Sequence, residues 1–170
     1  MKESTHFELK PLSKEGIPAA LDKAVRYRLL NEPSEAESIC RDVLRVEPDN
    51  QQALVLLLLA LTDRFAEGHT PAVTQTQEVL TRLRSDYERF YYHGIVCERR
   101  AKARLNLNVP GAGYDAFEWL MEAMVWYEKA EAIRPEGNDD ALLRWNACAR
   151  TVMQRSLGPR PEERVEASLE

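Results

Sequence analysis

The chain has 170 residues, of which 30% are charged and 44% hydrophobic, and its formal net charge is −5. This length and composition are typical of one globular domain and exclude a disordered or fibrous chain. The acidic balance disfavours non-specific nucleic-acid binding, which relies on a clustered basic face. The longest apolar run, Ala53 to Leu61, is too short to span a bilayer, so we expect no membrane insertion.

The N-terminal region and the cysteines indicate a reducing compartment. Residues Met1 to Glu15 are polar and lack the apolar core of a secretion signal. Cys40, Cys97 and Cys148 lie far apart and form no C-x-x-C pair. This spacing predicts small buried core residues, with no disulfide framework, no metal site and no cofactor. We therefore expect a cytoplasmic protein.

Apolar periodicity predicts helices along most of the chain and no alternating strand. Prolines, glycines and capping residues delimit the helices. The predicted helices span about 18–31, 34–46, 51–65, 71–84, 86–105, 114–133 and 139–156. Residues 1–16 are expected to be a flexible arm and 157–170 a flexible charged tail, because neither has enough apolar content to bury. The helical domain is therefore predicted to span 17–156.

Pairs of predicted helices recur with small, aromatic and proline residues at similar positions. The first pair carries Ala24, Tyr27, Ala36, Cys40, Val43 and Pro48, and the third carries Phe90, Gly94, Cys97, Ala123, Tyr127, Ala130 and Pro135. Small side chains allow helices to approach closely, and proline ends the second helix so that another pair can begin. The pattern resembles the tetratricopeptide repeat, whose unit is about 34 residues. The second pair is weaker, since it lacks the aromatic residue and the final proline.

This resemblance, which covers about 17–156, implies an all-α fold. It implies a right-handed superhelical stack of about three antiparallel helix pairs, followed by a C-terminal capping helix. An irregular helical bundle is the alternative. In the family, the first helix of each pair lines a concave groove that receives peptides or helices. We therefore expect a non-catalytic protein-protein interaction module, an adaptor or assembly scaffold. A secretion-type or assembly chaperone is the alternative, although the loop Asn106 to Gly113 departs from that pattern.

Helical register then predicts which residues face a partner protein or peptide. They are Arg28, Asp63, Tyr91, Ile95, Glu98 and Arg99 on the first helices of the pairs, and Asp139, Asn146 and Arg150 on the last helix. Asn and Arg side chains can bond the planar amide or carboxylate groups of a bound chain. For the last helix, capping by Asp139 and an ordinary solvated face is the alternative. Some relatives use Lys and Asn side chains in the groove to hold the C-terminal carboxylate of heat-shock chaperones. In this chain Leu21 and Val25 occupy the corresponding positions. We therefore do not expect binding of a chaperone C-terminus by such side chains.

Groups for catalysis are few. His93 lies in the aromatic segment that begins at Phe90, and its predicted role is packing. No H-E-x-x-H, no G-x-S-x-G and no glycine-rich phosphate loop occurs, so we expect no enzyme. The basic residues from Arg99 to Arg104 spread over several helix faces beside Glu98, and no nucleic-acid partner is expected. Association of the chain with itself through exposed helix faces is left open.

Overall fold

The structure, a computed structural model, describes residues 4–67 and 70–161, apart from the side chains at 70 and 71. Within these ranges the chain is all-helical, with seven α-helices and no strand, as predicted. Residues 1–3, 68–69 and 162–170 lie outside the described part, and with them lie the ends of the predicted arm and tail. In the described ranges, none of the helices combines the length and the apolar character needed to cross a bilayer.

The helices follow one another with short connections. They are α1 (Ile17–Leu29), α2 (Pro33–Val46), α3 (Gln51–Asp63), α4 (Thr70–Arg82), α5 (Asp86–Asn106), α6 (Ala112–Ala132) and α7 (Asp140–Gln154). Two short 3-10 turns, Lys14–Gly16 and Phe65–Glu67, precede α1 and follow α3. The observed ends lie within about two residues of the predicted ones, which is the usual uncertainty of a helix end.

Local chemistry explains several of these ends. Asn31 has a φ of 60°, so the chain reverses between α1 and α2, and Pro33 then occupies the first turn of α2. The side-chain oxygen of Asn50 accepts a hydrogen bond from the Ala53 backbone N–H at 2.9 Å, which caps α3. Ser85 caps α5 in the same way, and Gly111, with a φ of 80°, precedes α6.

The chain divides into two compact units, Met1–Arg84 and Ser85–Glu170. In the first unit, α2 packs against α1 and α3, and α4 packs against α3. In the second unit, α6 packs against both α5 and α7. The helical domain predicted over 17–156 therefore comprises two units, each with its own helix packing.

The repeated small residues lie at the helix contacts of each unit. Ala24, Ala36, Cys40 and Val43 are completely buried in the first unit, as are Ala123, Tyr127 and Ala130 in the second. All three cysteines are free and buried, as the sequence predicts. Burial raises the pKa of each thiol to about 12, so each thiol is protonated near neutral pH.

Candidate functional site

One side of the first unit combines exposed apolar side chains with a paired charge. Val25 is 37% exposed and Leu29 is 82% exposed on α1, while Val55 and Leu59 on α3 are half-buried. Residues four apart share one face of a helix, so each pair forms an apolar ridge. Together with Arg28 and Asp63, these four residues define the α1/α3 face.

An ion pair joins the two helices of this face. Arg28 donates from Nε to Asp63 Oδ2 at 2.8 Å and from Nη2 to Asp63 Oδ1 at 3.2 Å. This two-pronged geometry fixes the orientation of both side chains. Both residues were predicted to line the groove, and in the structure they bond each other. Because the two charges are matched, the α1/α3 face offers a locally neutral and partly apolar surface.

Three helices of the second unit converge on the carboxylate of Glu98. The Glu98 side chain on α5 is buried, and its Oε2 accepts a hydrogen bond from the Tyr127 hydroxyl of α6 at 2.6 Å. Its Oε1 accepts from Lys102 Nζ at 2.6 Å and from Arg144 Nη1 of α7 at 3.4 Å. The Glu98 network therefore satisfies a buried charge from three directions.

The charges around Glu98 keep it ionised. Burial by itself raises the pKa of this carboxyl, but the hydrogen bonds from Lys102 and Tyr127 and the charges of Lys102 and Arg144 outweigh burial and lower the pKa below its ordinary value of 4.5. Burial and the neighbouring Glu98 charge raise the pKa of Tyr127, so its hydroxyl stays protonated and donates. At neutral pH, Glu98 is therefore an ionised acceptor and Tyr127 its protonated donor.

An aromatic cluster surrounds the start of α5, as the sequence predicts for this segment. Tyr91 contacts Tyr87, Tyr92 and Tyr127, with ring centroids 5.9, 5.1 and 5.9 Å away. The His93 ring stacks on Trp126 of α6, with centroids 4.0 Å apart and planes 19° from parallel. Burial lowers the pKa of His93, so its imidazole is neutral near pH 7.

Three potential metal ligands meet beside this stack. A ring nitrogen of His93, the sulfur of Cys97 and a carboxylate oxygen of Glu122 all lie within 4.8 Å of one another. His93 and Cys97 are one helical turn apart on α5, and Glu122 reaches them from α6. The spacing of the cysteines predicted no metal site, because sequence spacing does not show that α5 and α6 pack together.

The other predicted partner-facing residues differ in how far they are exposed to solvent. Ile95 and Glu98 are buried, with Ile95 only 2% exposed. Both were expected to lie on the surface. Arg99 and Asn146 are half-buried, whereas Asp139 and Arg150 are exposed. Asp139 is the N-cap residue of α7 without a side-chain cap bond, and it accepts a hydrogen bond from Arg134 at 2.6 Å. The side-chain oxygen of Asn138 instead accepts from the Asp140 backbone N–H at 3.0 Å.

The residues that bind Glu98 from other helices were not predicted from the sequence. Tyr127 and Arg144 hold Glu98, but they lie 29 and 46 positions away from it in sequence. Lys102 was detectable, because Glu and Lys four residues apart on a helix commonly pair. Comparison with known proteins gives no assignment, since no family model, no curated protein and no solved structure matches this chain.

Proposed function

We propose that this chain is a non-catalytic protein-interaction module, an adaptor or assembly scaffold, which binds an amphipathic helix of a partner protein on the α1/α3 face. The apolar character of α3 is the observation that carries the proposal. An unbroken apolar run extends from Ala53 to Leu61, so α3 is apolar on every side. A helix of this kind is normally covered all round, yet Val55 and Leu59 keep part of their surface exposed.

The spacing of the exposed residues favours a helical partner. Val25 with Leu29, and Val55 with Leu59, form two ridges at helical spacing on neighbouring helices. A partner helix with apolar side chains at positions i, i+3, i+4 and i+7 can place them between such ridges. Arg28 and Asp63 pair with each other, so neither of these two charges needs a partner charge from the bound helix.

The proposal includes tetratricopeptide-like stacking of the helix pairs and a cytoplasmic location. In its favour, small residues are buried where the helices of a pair meet, and α1 contacts α3, the first helix of the following pair. Free, buried cysteines suit a reducing compartment. In such arrays, the first helices of successive pairs commonly form the binding surface.

A matched pair of exposed leucines tests the site. Leu29 lies on the α1/α3 face and is 82% exposed, and Leu143 lies on α7 and is 60% exposed, so Leu→Glu at either position leaves the core unchanged. A photo-crosslinking residue at position 29 should capture one defined partner segment in native cells, whereas the same residue at 143 should not. Binding of that partner, purified, should weaken at least about tenfold for Leu29→Glu and stay unchanged for Leu143→Glu.

Three other outcomes would replace the proposal. Equal weakening by both substitutions, or crosslinks only from position 143, would remove the α1/α3 face as the site. Binding of only the unfolded partner would favour the chaperone alternative. A dimer in light scattering that Leu29→Glu dissociates would make a second copy of this chain the occupant.

A further inference from the structure

The cluster of His93, Cys97 and Glu122 in the second unit has no role in the proposed binding of a partner. From its geometry we infer that these three residues form a Zn²⁺-binding site between α5 and α6. The inference is independent of the proposed function, because the α1/α3 face belongs to the first unit. The proposed ligand is Zn²⁺, although the cysteines of the sequence do not have the spacing that is typical of metal sites.

The donor atoms match the ligands that zinc prefers. Zn²⁺ binds imidazole nitrogen, thiolate sulfur and carboxylate oxygen at about 2.0–2.3 Å in a tetrahedral arrangement. These bond lengths require donor atoms roughly 3.5 Å apart, and the donors here lie within 4.8 Å of one another. The exposed Glu122 side chain can close the difference by rotation. With three protein ligands, the fourth coordination position of the zinc is left for a water molecule. This position faces solvent, on the side of the exposed Glu122.

The site is partly organised before a metal binds. Stacking on Trp126 fixes the plane of the His93 ring, and packing fixes Cys97, which is 2% exposed. Within the described part of the chain, the side chains of His93 and Glu122 make no hydrogen bond or salt bridge, whereas Glu98 has three donors. Two ligands can therefore bind a cation without breaking another interaction.

Charge and proton balance also permit the site. The Cys97 thiol loses its proton to the solvent as the sulfur–zinc bond forms. The resulting thiolate and the Glu122 carboxylate carry one negative charge each, and together they balance the two positive charges of Zn²⁺. Arg100 and Lys129 are the nearby cations, and their positive charge weakens the affinity. Each is directed onto an aromatic ring, Arg100 over Trp119 at 3.7 Å and Lys129 over Trp126 at 4.3 Å, and neither makes an ion pair with Glu122.

Cobalt titration of the untagged, full-length chain tests the site directly. Co²⁺ replaces Zn²⁺ at such sites, and a thiolate ligand gives it a charge-transfer absorption in the near ultraviolet. We expect this band to saturate at one equivalent of Co²⁺ and to disappear when Zn²⁺ is added. Zn²⁺ should also raise the melting temperature, because it binds the folded chain.

Matched variants distinguish this site from other metal binding. Cys97→Ala should abolish the band, whereas Cys148→Ala, at another buried thiol, should keep it. Glu122→Gln should weaken Co²⁺ binding at least about tenfold, whereas Glu118→Gln, one turn earlier on the exposed side of α6, should not. Glu122 is exposed, so its variant folds even where a core substitution does not. Absence of the band in the folded wild-type chain, or equal affinity of the two Gln variants, would overturn the inference.

Discussion

Gly94 on α5 lies directly against the ring of Tyr127 on α6. A Cβ atom at position 94 would be 2.5 Å from Cε1 and 2.7 Å from Cδ1 of that ring. Tyr127 is completely buried and its hydroxyl donates to Glu98, so the ring has no room to move aside. The absence of a side chain at Gly94 therefore determines how closely α5 and α6 approach.

Replacement of Gly94 by Ala should accordingly destabilise the protein by about 1–3 kcal/mol, the usual cost of overpacking a core. Chemical denaturation monitored by circular dichroism measures this change. Gly113→Ala is the control, because Leu157 Cδ2 lies 3.6 Å from the added Cβ, an ordinary contact, and alanine favours the helix. Equal stability of Gly94→Ala and the wild-type chain would contradict the close packing.

The Tyr127 hydroxyl should stabilise the second unit through its hydrogen bond to the ionised Glu98. Tyr127→Phe keeps the ring but removes this donor, and we expect a loss of about 2 kcal/mol in the free energy of unfolding. Tyr87→Phe is the matched control, because its hydroxyl makes a longer bond, 3.3 Å, to the neutral Asn138 and is only part-buried. A Tyr127→Phe effect no larger than that of Tyr87→Phe would refute this role of Glu98.

Acid should destabilise the first unit through Glu37. Burial raises the pKa of this carboxyl, but hydrogen bonds from Arg41 and Arg64, together with their charges, lower it below its ordinary value of 4.5. Because the pKa of Glu37 is lower in the folded chain, its ionised form stabilises the fold at any pH above the ordinary pKa of 4.5. This stabilisation is lost as the pH falls through the pKa of the folded state. The effect should be about 1 kcal/mol or less, because the Arg41 side chain is 47% exposed and solvent screens its charge.

The difference in unfolding free energy between the wild-type chain and Glu37→Gln measures that contribution. It should be constant near neutral pH and should shrink as the pH falls below 4.5. Arg45→Gln, at an exposed position on the same helix, is the control. A difference that stays constant through the acidic range would show that Glu37 contributes nothing specific.

The three cysteines should resist thiol reagents in the folded chain. Each thiol is buried and has a pKa raised to about 12, so few thiolates form and reagent cannot reach them. We expect slow labelling near neutral pH and rapid reaction of all three thiols after unfolding. Rapid labelling of one cysteine in the native protein would identify a local opening at that position.

Sequence by itself determined the helices and several of the residues that pack between them, although it placed the buried Ile95 on the surface. Apolar periodicity, prolines and caps act over a few residues, so they determined the helices without reference to the rest of the fold. Small side chains such as Ala24 and Ala36 were also recognisable, because only small residues permit close helix contact. The burial of the cysteines followed from their apolar surroundings.

Tertiary structure decided which side chains meet across helices. Arg28 and Asp63 were both predicted to face a partner, but their bond joins residues 35 positions apart. Glu98 was predicted to contact a partner at the surface, but it is buried and bonded to Tyr127 and Arg144. Sequence spacing places His93 and Cys97 together, whereas the proximity of Glu122 to them depends on the packing of α6. The reason is geometric: periodicity relates side chains within one helix, whereas contacts between helices depend on how the helices cross and pack.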